Sequence, residues 1–205
     1  MQEALIGGWS RQTSFSVEML APLHDLNLRF LDLVGAHAGG WRTSAALGLP
    51  GGASERVAPM SAAQRAAAAH CPYALFDLRF HDDAHWQARL HGAAQWRVAD
   101  EGTEEDTANF VRLALFYAWH VANTTRYAAQ LLLGMSERTA SSFRSTPLNC
   151  LPTLVASETG NLSARFLNCG VYWSALVGAA VRRDDHKLRR IQLFGLQLAA
   201  AARLP

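Results

Sequence analysis

The chain is expected to be mainly α-helical, built from two tandem helical units related by a pseudo-two-fold axis, each with room for one short strand. Three observations predict this. Half of the 205 residues are hydrophobic and only 18% are charged, the composition of a packed globular protein. Apolar residues recur three and four positions apart over long stretches, as one face of a helix requires. The chain also repeats itself. Leu90-x-Gly92-Ala93-Ala94-x-x-Arg97 matches Leu176-x-Gly178-Ala179-Ala180-x-x-Arg183, and its two leucines stand 86 residues apart. In that same register Leu47-Gly48-Leu49 meets Leu133-Gly134-Met135, and Arg79-Phe80 meets Arg165-Phe166. Pairs alike in size and apolarity join them: Phe30 with Phe116, Trp41 with Tyr127, Val57 with Phe143, and Trp86 with Tyr172.

The elements follow in order. Residues 1–22 form an N-terminal extension, and a first unit spans 23–97. Its first helix carries Leu23, Leu26, Asn27, Phe30, Leu33 and Val34 on one face, and Gly39-Gly40 stops it. Ser54 can cap a second helix through Ala69, and Pro72 forces the exit. Tyr73 to Phe80 is short and apolar at alternate positions, which suits a brief strand. From Asp82 or Asp83 to Trp96 a helix resumes, with Trp86 and Leu90 turned inward. Residues 98–108 are an acidic linker containing Asp100-Glu-Gly-Thr-Glu-Glu-Asp106, with Thr103 or Asp106 as the next cap. A second unit spans 109–183, its strand segment Asn161 to Leu167 being the weaker of the two, and residues 184–205 form a basic and apolar C-terminal helix.

Several function classes lose their usual support. The net charge of +2 is too mild to announce nucleic-acid binding, so any such activity must come from local clustering. Cys71, Cys150 and Cys169 lie far apart without CxxC spacing, which indicates neither a zinc knuckle nor a disulfide framework and fits a reducing cytoplasm. The first residues lack the unbroken apolar core of a signal peptide. The most apolar stretch, Phe110 to Met135, is interrupted by Arg112, His120, Asn123, Arg126 and Gln130, so no membrane association is expected. GxSxG, P-loop and GxGxxG patterns are absent.

Two local features carry chemistry. His81-Asp82-Asp83-Ala84-His85 sets two imidazoles one helical turn apart, in the spacing of a zinc protease helix with Asp82 where the general base would stand. Asp is shorter than the usual Glu, a third ligand would have to come from a residue such as His91, and the second unit has Leu167-Asn168-Cys169-Gly170-Val171 there. A solvated helix start is the better reading, with no metal, no cofactor and no small-molecule substrate. The second feature is the run from Arg182 to Arg190, in which Arg182, Arg183, Lys187, Arg189 and Arg190 supply five positive charges diluted by Asp184 and Asp185. Such clusters contact phosphate, and they also occur as solvated helix faces.

His24-Asp25-Leu26-Asn27-Leu28-Arg29-Phe30-Leu31 resembles the Asp-Ile-Asn-Leu opening of FlhD, the D subunit of the flagellar master transcriptional regulator. The spacing from Leu47-Gly48-Leu49 to Arg79-Phe80, and from Leu133-Gly134-Met135 to Arg165-Phe166, is similar to that family's Leu-Gly-Ile to Arg-Phe spacing. The second unit departs from it, with Val111-Arg112-Leu113-Ala114 at the helix opening. Phe76 and Leu162 stand where the family has a subunit-linking cysteine. The resemblance implies an intertwined dimer supplied by one chain, a FlhC-like protein partner, and DNA contacted through the complex. Leu26, Phe30, Phe80, Phe116, Trp119 and Phe166 would then line the pseudo-dimer or partner interface. The reading is a non-enzymatic, cytoplasmic transcription-regulatory protein that scaffolds a DNA-binding partner in flagellar or related operon control. The alternative is an interaction adaptor or antagonist that does not bind DNA.

Overall fold

The computed structural model describes residues 17–37, 47, 49–50, 52–92 and 105–201. They are mainly helical. The first helix, α1 (Val17–His37), begins inside the stretch assigned to the N-terminal extension and buries Met19, Leu23, Leu26, Asn27, Phe30, Leu31, Leu33 and Val34. Its expected stop at Gly39-Gly40 lies outside the described residues, as do Trp41, Gly48, the linker through Glu104 and the first copy of the repeat motif beyond Gly92.

The second helix of the first half is broken in two. Helix α2 (Ala53–Val57) ends before Pro59, and α3 (Ala62–Ala69) restarts at Ser61. Ser54 therefore sits inside α2, and the side-chain cap belongs to Ser61. The Ser61 hydroxyl accepts the Gln64 amide at 3.3 Å, while the Gln64 carboxamide accepts the Ser61 amide at 2.8 Å. Proline lacks the N–H an unbroken helix would use and clashes one turn back, so the chain must reinitiate, and this reciprocal cap reinitiates it.

The following segment contains β1 (Phe76–Asp77), much shorter than the alternation over Tyr73 to Phe80 suggests. Helix α4 (Asp83–Gly92) follows, capped by Asp82, whose carboxylate accepts the His85 amide at 3.0 Å. In the second half, α5 (Glu105–Thr124) has Asp106 within its first turn rather than at its cap. Thr103 lies outside the described residues. Helix α6 (Arg126–Ala128) runs into a π-helical turn (Ala129–Leu133) closed by Gly134 at φ 74. That glycine has little freedom to change, because a Cβ there would stand 2.8 Å from the Arg165 guanidinium. Helix α7 (Glu137–Ser145) is capped by Ser136, and a 3-10 stretch (Leu148–Leu154) leads through α8 (Val155–Glu158) to β2 (Ser163–Ala164). Helices α9 (Gly170–Arg182) and α10 (Asp185–Ala201) close the fold, with Arg183 at φ 53 reversing the chain between them.

The two halves share one core. Strands β1 and β2 pair antiparallel, with Phe76 opposite Ala164 and Asp77 opposite Ser163. Phe30 lies at the centre, its ring 6.1 Å from Phe76, 5.9 Å from Phe110 and 6.3 Å from Trp173. The last helix of the first half, α4, packs on α7 of the second, while α9 of the second packs on α2 and α3 of the first. Each half thus hands a helix to the other.

Local geometry repeats along with this exchange. Arg79 and Phe166 both adopt left-handed backbone, at φ 56 and 62. The buried Trp86 indole donates to the Leu78 carbonyl at 3.2 Å and to the Arg79 carbonyl at 3.1 Å, and the Trp173 indole donates to the Arg165 carbonyl at 2.7 Å. Arg79 and Phe166, like Trp86 and Trp173, are separated by one residue more than the repeat offset read from the sequence, which aligns Trp86 with Tyr172. Phe80 and Phe166, aligned by sequence, accordingly occupy unlike places: Phe80 is fully buried and Phe166 only partly so.

Asn27 fastens the start of the extended segment. Its carboxamide donates to the Ala69 carbonyl at 3.1 Å and the Tyr73 carbonyl at 2.9 Å, and accepts the Leu75 amide at 2.8 Å. At the other end Tyr73 and Tyr172 join their hydroxyls at 3.0 Å, and Tyr73 donates to the Gln192 carbonyl of α10. A Cβ on Gly195 would come within 2.0 Å of the Tyr73 hydroxyl, so glycine is what lets α10 lie this close.

Replacing Asn27 with Leu should cost about 3 kcal/mol by stranding three buried backbone groups, and Asn27→Asp should fare little better because two of the three bonds need a donor. Chemical denaturation measures both. Gly195→Ala should lose about 2 kcal/mol through overpacking, despite alanine's better helix propensity. Gly160→Ala, with nothing within 4 Å of the added Cβ, should lose little.

Candidate partner-binding and basic surfaces

The two imidazoles of the His81 to His85 stretch diverge. His81 is 75% exposed and lies 3.7 Å from the Asp77 carboxylate, whereas His85 turns inward and meets the Glu158 carboxylate at 2.8 Å. Glu158 has no exposed surface, and its oxygens also meet Arg89 at 3.2 Å, the Asn161 carboxamide at 3.0 Å and the Ser157 hydroxyl at 3.2 Å. A buried carboxylate survives only when its lone pairs are met this fully. The cluster ties α4 of the first half to α8 of the second. Sequence reasoning missed Glu158, whose cationic and imidazole partners, Arg89 and His85, lie far away in the chain.

Asp82, where a general base would stand, faces away from any such role. It accepts the His85 amide and pairs with Arg79, and those two contacts hold its carboxyl below the usual range. Among the described residues no group of three His, Cys, Asp or Glu side chains is placed to hold a metal ion. Cys71 is buried, and loss of solvent pushes its thiol up to about 12, which leaves it protonated and inert near neutral pH. Burial likewise raises the hydroxyls of Tyr73 and Tyr172.

The six apolar residues assigned to an interface fall into different places. Leu26 and Phe30 are in the core, and Phe30 bridges the halves through Phe110 and Trp173. Phe80 does the same through Phe143, while stacking on Trp86 at 5.7 Å. Phe166 meets Tyr73 edge-on at 5.4 Å and carries the Arg165 guanidinium 4.9 Å from its ring centre. Phe116 and Trp119 are partly buried within the second half, the Trp119 indole donating to the Thr146 carbonyl at 2.9 Å.

All five cations of the basic run are exposed at the corner between α9 and α10. The reversal there rests on Arg183 and Asp184, whose amides bond back to Ala180 and Ala179. The Asp184 carboxylate then caps α10 by accepting the Lys187 amide at 2.9 Å. Beyond it, α10 leaves Leu193 61% and Phe194 41% exposed. A groove of about 500 Å³ opens beside its far end, walled by Leu198, Phe166, Leu167, Asn168, Cys169 and Arg165. No helix among the described residues is long and apolar enough to cross a membrane.

No protein-family model, curated protein or solved structure matches the chain.

The divergence of the two histidines separates their substitutions. His81→Ala should change stability by less than about 0.5 kcal/mol. His85→Ala, which leaves Glu158 buried with one partner fewer, should lose about 1–3 kcal/mol. Thermal melts of the two variants decide this. Elemental analysis of the purified protein should find no stoichiometric zinc, and one tightly held metal lost with His85→Ala would overturn the non-metal reading.

Proposed function

We propose that the chain is a transcription-regulatory protein organised like a fused FlhD dimer, in which two homologous units related by a pseudo-two-fold axis form a scaffold for a DNA-binding protein partner. The observation that carries this is the exchange of α4 and α9 across the halves around the β1–β2 pair. Intertwining of that kind is what a dimer of such units would make, and isologous pairing is the rule when like surfaces meet. The paired left-handed residues and the paired buried indoles support homology of the units. Asn27, the polar member of the FlhD-like opening, has a structural reason to be asparagine, which supports that part of the resemblance. The units would run over 23–97 and 109–183, with the linker between them and the C-terminal helix appended. The activity would be cytoplasmic and non-enzymatic, and DNA would be met through the complex.

A second reading is an interaction adaptor or antagonist that shares the fold and leaves DNA alone. The two aspartates within the basic corner favour it, since their negative charge opposes phosphate at close range. Copurification from the native host, with transcript profiling of a deletion strain, separates the two. A zinc-containing FlhC-like partner together with altered flagellar or related transcripts supports the first reading. A partner without promoter occupancy supports the second, and neither partner nor transcript change overturns both.

If the corner faces phosphate, each cation releases condensed counterions on binding, so affinity falls steeply with salt. Arg182→Ala combined with Arg189→Ala should weaken the partner-bound complex on all DNA sequences alike and flatten the salt slope by about one unit for each phosphate-facing cation removed. An unchanged affinity and slope would make the corner a solvated face.

A further inference from the structure

We propose that the outward flank of α10, together with the groove at its far end, is a docking surface for an amphipathic helix of a partner protein, acidic at one end and apolar along the rest. The inference rests on the scaffold reading above and names the chemistry of what that scaffold holds. Lys187, Arg190, Phe194 and Leu198 follow one another at spacings of three, four and four, so they run along one side of α10. Leu188, Ile191, Gly195 and Ala199 are the residues the helix buries against the body, and Leu193 lies on its other flank. The outward flank is therefore cationic over its first turn and a half and apolar beyond.

That order continues off the helix. Leu198 opens into the groove, whose apolar wall is Phe166, Leu167 and Cys169 and whose other wall carries Asp77, His81 and Arg165, and Leu167 is itself 37% exposed. Phe194 is a large ring held at the surface with 41% of its area in water. Among the described residues no carboxylate forms an ion pair with Lys187 or Arg190: Asp184 is turned to the Lys187 amide, and Asp185 stands a turn before Arg189 on the other side. From Lys187 to Leu198 the flank covers about 16 Å, three turns of helix at 1.5 Å per residue. An occupant that complements it carries acids opposite Lys187 and Arg190, then apolar anchors three and four apart opposite Phe194, Leu198 and Leu167, the pattern by which helices seat in grooves. Opposed charges fix its direction and speed its capture, and burial of the Phe194 ring supplies the apolar contact.

The probe is a pair of fluorescein-labelled synthetic amphipathic peptides, identical in their apolar positions. One carries glutamates at the charged end and the other lysines, and each is titrated against the full chain by fluorescence anisotropy. The acidic peptide should bind at least about tenfold more tightly than the basic one, a preference that falls as salt rises. Phe194→Asp should weaken it at least about tenfold. Leu193→Asp, on the other flank and also exposed, should not. Combining Lys187→Glu with Arg190→Glu should invert the preference and rescue the basic peptide. Lys187, Arg190 and Leu193 are exposed, so their variants should melt as the parent does; Phe194 keeps more than half of its surface buried, so Phe194→Asp is titrated only at temperatures where its own melt shows it folded. Equal binding of the two peptides, indifference to Phe194→Asp, or equal loss with Leu193→Asp overturns the proposal. So does loss on Phe194→Asp of binding to vesicles of phosphatidylserine and phosphatidylcholine, or of self-association in sedimentation, when the acidic peptide fails to bind. A chain that takes the acidic peptide while a deletion strain shows no transcript change keeps this surface and loses the regulatory reading. Altered transcripts without peptide binding do the reverse.

Discussion

Extended backbone buried at the centre of a helical protein has no helix to satisfy its amides, and every such group must be met from elsewhere. The segments around β1 and β2 are in that position. Their shared pairing is only two residues long, so it cannot meet them all. The rest comes from both halves: the Asn27 carboxamide takes the Leu75 amide, the Leu132 carbonyl takes the Ala74 amide, and the Leu75 and Leu47 carbonyls take the Arg165 and Ala164 amides. Because each half's central segment is completed by groups of the other, the halves lock together there. The exchanged helices, the phenylalanine cluster around Phe30 and the Glu158 cluster are arranged around that lock.

The lock also accounts for residues whose identity looks arbitrary in the chain. Arg165 is nearly buried because its guanidinium donates to the Leu132 carbonyl, covers Gly134 and lies over Phe166. Arg79, its counterpart by sequence alignment, is half exposed and pairs with Asp82. Two arginines that the sequence aligns thus meet unlike surroundings, one in the core and one in water.

What could be read from the sequence was what repeats with a period. The face of α1, the inward turn of Trp86 and Leu90, the helix start at Asp82 or Asp83 and the C-terminal helix all follow from spacing and from the composition of helix ends. The mainly helical class follows from the same signals. The break at Pro59 was legible too, with Ser61-Ala-Ala-Gln64 marking the restart, yet the apolar pattern over 54 to 69 is continuous enough to mask it. Alternation over Tyr73 to Phe80 overstates the strand, because buried irregular backbone and a strand bury the same residues. Asn27 reads as a polar interruption of an apolar face until its three bonds are visible, and Glu158 has no signature at all. Its ion-pair partners, His85 and Arg89, lie in the opposite half of the chain. The divergence of His81 from His85 comes from where the helix starts: α4 begins at Asp83, so His81 stands in the preceding turn and helical spacing does not apply to the pair.

Helix α4 closes the first half in the chain but finds its main partner only in the second. Trp86 and Phe80 are fully buried, and both pack on Phe143 of α7. During synthesis the ribosome adds roughly 5–20 residues per second, so this indole and ring emerge seconds before the residue that covers them exists. The nascent first half therefore holds these two aromatics without the Phe143 ring that packs on both, and completion of their packing waits on contacts far along the chain. A chaperone that recognises exposed aromatics would meet this chain at that moment, well before the finished protein offers it anything to hold.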